Sequence, residues 1–96
     1  MSDASAERSL ESADGLAWRV IDDDVYVFQM EGALTVLEGA VAQHLWEKID
    51  LGGVSRGDLL NSMVEAFPVS PDVAEPDLDE FLGDLTTAGL LAERSA

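Results

Sequence analysis

The chain has 96 residues, 47% of them apolar, and its 20 acidic against 5 basic side chains give a formal charge of −15. This describes one small domain with enough apolar content for a core, carrying a charge that repels nucleic-acid phosphates and anionic lipid surfaces. No cysteine is present, which excludes disulfides, thiolate nucleophiles, cysteine-ligated zinc and iron–sulfur clusters, and fits a cytoplasmic setting.

Residues 1–16 are rich in Ser, Ala, Asp and Glu. They read as a flexible acidic arm with at most a weak helix around Ala6–Ala13, and they lack the basic start and apolar run of a signal peptide. No stretch reaches the roughly 18–20 apolar residues of a membrane span. The folded domain is expected over 17–92, with a short tail at 93–96.

Three strands open the domain. Trp18-Arg19-Val20-Ile21 ends at the turn-forming run Asp22-Asp23-Asp24. Val25 to Met30 is strongly β-prone and ends at Glu31-Gly32, and Ala33-Leu34-Thr35-Val36 is the third strand. The short connections predict an antiparallel meander.

Three helices follow. From Glu38 to about Asp50, Val41, Leu45, Trp46 and Ile49 share one face, and Gly52-Gly53 is the stop. Ser55-Arg56-Gly57-Asp58 resembles a capping box and opens a second helix, in which Leu59, Leu60, Met63, Val64 and Phe67 recur at helical spacing until Pro68. The third helix ends at Gly89, with Leu90 placed to pack back on its last turn. Pro76 would remove a hydrogen bond one turn into a helix begun at Ser70-Pro71, so a loose turn is expected there and a regular helix from about Pro76 to Ala88. The fold class is α+β: a three-stranded antiparallel sheet followed by three helices packed on one of its faces, winged helix-turn-helix-like in arrangement.

Little in the chain points to chemistry. His44 is the one histidine, with Glu47 as its nearest partner for a metal, and a site needs more ligands than that. Asp22–Asp24 lack the spacing of a calcium loop. The carboxylates Asp72, Glu75, Asp77, Asp79, Glu80 and Asp84 lie along a helix surface, without the pocket that drives paired pKa values apart. No phosphate-cradling loop surrounds Gly52-Gly53. No catalytic residue, metal ligand or cofactor is expected.

Two features point to binding. Along the third helix, Ala74, Leu78, Phe81, Leu82, Leu85 and Ala88 form an apolar stripe at least the roughly 100° wide that one core requires, bordered by Asp77 and Asp84. Such a stripe suits either a well-buried helix or one with a side left to line a groove. The third strand, Ala33-Leu34-Thr35-Val36, is an edge with no Lys, Pro or inward charge to blunt it. It is open to strand addition by another chain, unless the N-terminal arm or a second copy covers it.

These residues resemble the PqqD-like peptide chaperones, the recognition elements of pathways that modify ribosomally made peptides. The resemblance runs from Trp18 to Leu91. It rests on Trp18-x-Val20, the β-rich stretch, Leu37-Glu38 with Trp46 downstream, the Ser-opened second helix, and the closing signature Asp77-Leu78-x-x-Phe81-Leu82-x-x-Leu85-x-x-x-Gly89-Leu90-Leu91. Glu38 stands where the family usually has Asn, and Pro76 falls where its third helix commonly begins. The resemblance implies that the leader of a precursor peptide docks as an added strand on Ala33, Leu34, Thr35 and Val36, against a third helix presenting Asp77, Leu78, Phe81, Leu82 and Leu85. It implies that the chemistry belongs to a partner modifying enzyme, often a radical S-adenosylmethionine enzyme; the chain itself is expected to be a monomer or weak dimer.

Three rivals compare poorly. A DNA-binding winged helix would need basic residues on its third helix, and Lys and Arg are absent from Gly57 to Glu93. An acyl-carrier protein would need an attachment serine before a helix and would have no strands. An enzyme fragment, the third, has nothing in the sequence to support it. The alternative kept beside leader binding is an acidic interaction module of the same fold, acting as a dimer or adaptor.

Overall fold

The computed structural model describes residues 9–94. Its elements run β1 (Ser9–Ser12), β2 (Leu16–Ile21), β3 (Asp24–Gln29), β4 (Leu34–Leu37), α1 (Ala40–Leu51), α2 (Arg56–Ala66), α3 (Pro71–Ala88) and β5 (Leu91–Arg94). Strands β2, β3 and β4 form the antiparallel meander expected from the sequence, in that spatial order. The three helices follow, and the α+β class holds.

Asp22 and Asp23 carry φ of 52° and 70°. Two consecutive left-handed residues between Ile21 and Asp24, which pair across the hairpin, make the tight turn whose twist matches that of the flanking strands, and Asp tolerates this conformation. Asp24 then accepts a hydrogen bond from the backbone N–H of Gly39 at 2.9 Å, pinning the entry of α1 to the start of β3. The acidic triplet thus shapes the meander.

One face of the sheet carries Val25 and Val27, both fully buried, with Leu37 beside them. Against it pack Leu45, Trp46 and Ile49 of α1, Leu59 and Met63 of α2, and Ala74, Leu78 and Leu85 of α3. Trp18 meets Trp46 edge to face at 6.3 Å between ring centroids, an arrangement that adds to burial alone. Helix α2 opens on the expected capping box: Ser55 accepts from the Asp58 N–H, and Asp58 accepts from the Ser55 N–H.

The structure departs from the sequence reading in two places. Residues 9–12 and 93–94 belong to no arm, helix or tail; they lie in β1 and β5, which pair antiparallel. Leu10 is 4% exposed within the core, and its N–H donates to the Val54 carbonyl at 2.6 Å. Residues 1–8 of the expected arm lie outside the described residues.

Helix α3 begins at Pro71, not near Pro76. Pro71 sits at a first-turn position where its missing N–H costs nothing, and Val73 and Ala74 both donate back to the Ser70 carbonyl. Pro76 deprives the carbonyl one turn earlier, that of Asp72, of its donor; Asp72 is exposed, and a helix-end carbonyl open to solvent is one that water can satisfy. Burial of Ala74 holds this turn against the core. The far end matches expectation: Gly89 is left-handed, Leu90 donates to the Leu85 carbonyl, and Leu90 is fully buried.

Candidate peptide-binding site

Strand β4 is an edge of its sheet. Gln29 donates its N–H to the Ala33 carbonyl at 2.9 Å, and the register continues as Phe28↔Leu34, Val27↔Thr35, Tyr26↔Val36 and Val25↔Leu37. Hydrogen-bonded and non-bonded pairs alternate along an antiparallel ladder. If Gln29–Ala33 is a bonded pair, so are Val27–Thr35 and Val25–Leu37. The backbone groups of Thr35 and Leu37 therefore point at β3, and those of Leu34 and Val36 point out at the open edge.

Side chains follow the same alternation. Thr35 and Leu37 lie on the helix side of the sheet, and Leu34 and Val36 on the other, where both are exposed. On the helix side a cleft of about 400 Å³ opens, lined by Thr35, Val36, Leu37 and Glu38 of the strand and its exit, Ala42 of α1, and Phe81 and Asp84 of α3. Its floor is apolar, from Leu37, Ala42 and Phe81. Its mouth carries two carboxylates, Glu38 and Asp84, both exposed.

Of the nine residues singled out in the sequence, Thr35, Val36 and Phe81 line this cleft. Leu34 offers its outward backbone beside it. Ala33 lies in the turn before β4. Leu78 and Leu85 are fully buried in the core, Leu82 is half-buried against it, and Asp77 is exposed on α3; none of these four lines the cleft. The stripe on α3 is thus mostly core, and Phe81 is where it reaches the groove. Glu38, Leu37 and Ala42 were missed as lining residues. The Leu37-Glu38 helix start was visible, but only the turn at Gly39 shows that it folds toward α3.

His44 stands away from this cleft. It is hydrogen-bonded to the Ser62 hydroxyl and lies edge-on to Phe67 at 5.3 Å, joining α1 to α2. Burial, then Lys48, lower its pKa from the usual value, partly offset by Glu47. Among the described residues no three His, Asp or Glu side chains gather as a metal site, and no helix is long and apolar enough to cross a membrane.

The family model for coenzyme PQQ synthesis protein D (PqqD) matches residues 39–91, more than half of the chain. No curated protein matches the sequence. Among solved structures, the one described as "TbiB1 in Complex with the TbiA(beta) Leader Peptide" superposes with a TM-score of 0.74 at 23% identity, over 84% of this chain and 93% of that one. At that identity the likeness is one of fold.

Proposed function

This chain belongs to the PqqD family, and from that premise we propose that it is a non-catalytic recognition element that binds the leader of a ribosomally synthesised precursor peptide. The leader adds as a strand to β4, taking main-chain hydrogen bonds from Leu34 and Val36. Its helix-side side chains enter the cleft over Leu37 and Ala42 against Phe81. Asp77, Leu78, Leu82 and Leu85 support the site from α3, the two buried leucines by fixing the helix against the sheet. The chain works in the cytoplasm and presents the leader to a modifying enzyme, for which a radical S-adenosylmethionine enzyme is the class the family resemblance suggests.

The observation that carries this reading is a coincidence of position: β4 is an edge strand whose outward backbone groups belong to Leu34 and Val36, with no Lys, Pro or inward charge among its residues, and that same edge borders the cleft. The structure aligned above, whose description names a bound leader peptide, supports it by fold. Fluorescence anisotropy with a labelled leader of the cognate precursor peptide tests it. Saturable binding in the micromolar range, about −8 kcal/mol, is expected, together with competition by unlabelled leader. Absence of binding at hundred-micromolar protein would contradict it.

A further inference from the structure

The sheet has a second face, turned away from the helices. Strand alternation and the β2–β3–β4 register place Arg19, Ile21, Phe28, Leu34 and Val36 on it, with Met30 beside it. Ile21, Phe28, Met30, Leu34 and Val36 are five of the eight large apolar side chains exposed among the described residues, and Met30 is 87% exposed. Two shallow hollows flank Phe28, one shared with Met30 and the other with Arg19 and Ile21. Exposed apolar side chains scattered singly are ordinary, whereas a contiguous set with polar borders marks an interaction surface.

We propose that this face docks the modifying enzyme that receives the leader, through an enzyme surface that is apolar, presents a carboxylate to Arg19 and bears basic residues around its margin. The proposal rests on the leader-binding reading above. Three observations select this occupant. A second copy would bring another charge of −15 and set a second Arg19 on the same face. The exposed Asp22, Asp23 and Glu31 border it at the two hairpin turns, so opposite charge on a partner is favoured and like charge opposed.

The third observation is continuity. Leu34 and Val36 direct their side chains onto this face and their backbone groups to the open edge. A leader strand bound at that edge extends the face by one strand, its outward side chains standing beside Leu34 and Val36. The enzyme then touches carrier and leader on a single surface, and it holds the loaded protein more tightly than the free one. By linkage, the enzyme tightens leader binding by the same factor.

The test uses the full chain, the leader peptide and the purified cognate modifying enzyme. Ile21→Thr/Phe28→Thr removes the apolar anchors while keeping β-favouring residues, and Arg19→Glu reverses the central charge. Leader affinity should stay within about threefold of wild type, which also shows that the variants fold, while enzyme affinity falls by at least about tenfold in each. Wild type should bind the enzyme more tightly with leader than without, and should sediment as a monomer. Enzyme affinity unchanged in both variants, or an enzyme that fails to bind wild type, overturns the proposal and leaves leader binding intact. A dimer dissolved by the same substitutions assigns the face to a second copy and overturns it too. Failure of the leader to bind wild type sinks the earlier reading and this one together.

Discussion

Leu10 donates its backbone N–H to the carbonyl of Val54 at 2.6 Å, joining the start of the described chain to the link between α1 and α2. The side chain of Leu10 is buried, and Ser12 of the same strand donates to Asp50 at 2.9 Å. Strand β1 therefore belongs to the domain. Leu10→Ala should destabilise the fold by about 2–5 kcal/mol, the range for a buried Leu truncated to Ala. Urea denaturation checks this; a loss under about 0.5 kcal/mol would mean the segment behaves as the surface arm its composition suggests.

Helix α2 gives a smaller, cleaner test. Ser55→Ala removes the acceptor for the Asp58 N–H and the first half of the reciprocal cap. The expected cost is about 1 kcal/mol, readable in the denaturation midpoint with leader affinity unchanged, since the cap lines no part of the cleft.

What was legible in the sequence was local. The meander could be read because Val25 to Phe28 is β-branched and aromatic between turn residues, and the Ser55–Asp58 cap because both its halves lie within four residues. Strand β1 was not legible: it offers a single apolar residue, and its partner Leu91–Arg94 lies at the other end of the chain. The start of α3 was misread because Pro76 was weighed by its lost hydrogen bond alone, while burial of Ala74 decides the outcome. In the site, the open edge and Phe81 were visible, but helical spacing does not distinguish core from groove. Leu78, Leu82 and Leu85 share the stripe with Phe81, and only the packing of α3 shows which of them reaches the cleft.

Acid should weaken the link between α1 and α2. Burial and Lys48 hold the His44 pKa below its usual 6.5, so the unfolded chain binds a proton more readily than the folded one. The stability from the neutral ring is then fully present above about pH 6.5 and is lost as pH falls through the lower folded value. His44→Gln should flatten the stability profile below pH 6.5 relative to wild type. Parallel profiles would show that the ring contributes nothing to it.

Glu38 and Asp84 make the mouth of the cleft acidic. Leader binding should weaken several-fold as salt rises from about 50 to about 500 mM, for a leader with a basic side chain at that point. Glu38→Gln/Asp84→Asn should remove most of that dependence, as seen by anisotropy across the salt series. An equally steep dependence in the double variant would place the responsible charges elsewhere on the surface.

The central claim, that the leader adds as a strand on β4, is tested most directly by two prolines one residue apart. Leu34 directs its N–H outward and Thr35 directs its N–H at β3, so proline at each removes a different hydrogen bond. Leu34→Pro, at the first residue of the strand, should leave a folded protein with wild-type circular dichroism and leader affinity reduced by about tenfold or more, through the lost bond and the disturbed register. Leu34→Thr, which keeps the N–H, serves as the control for the side chain. Thr35→Pro should destabilise the fold by about 1–3 kcal/mol by leaving the Val27 carbonyl unpaired. A folded Leu34→Pro protein that binds leader as tightly as wild type would contradict strand addition on β4.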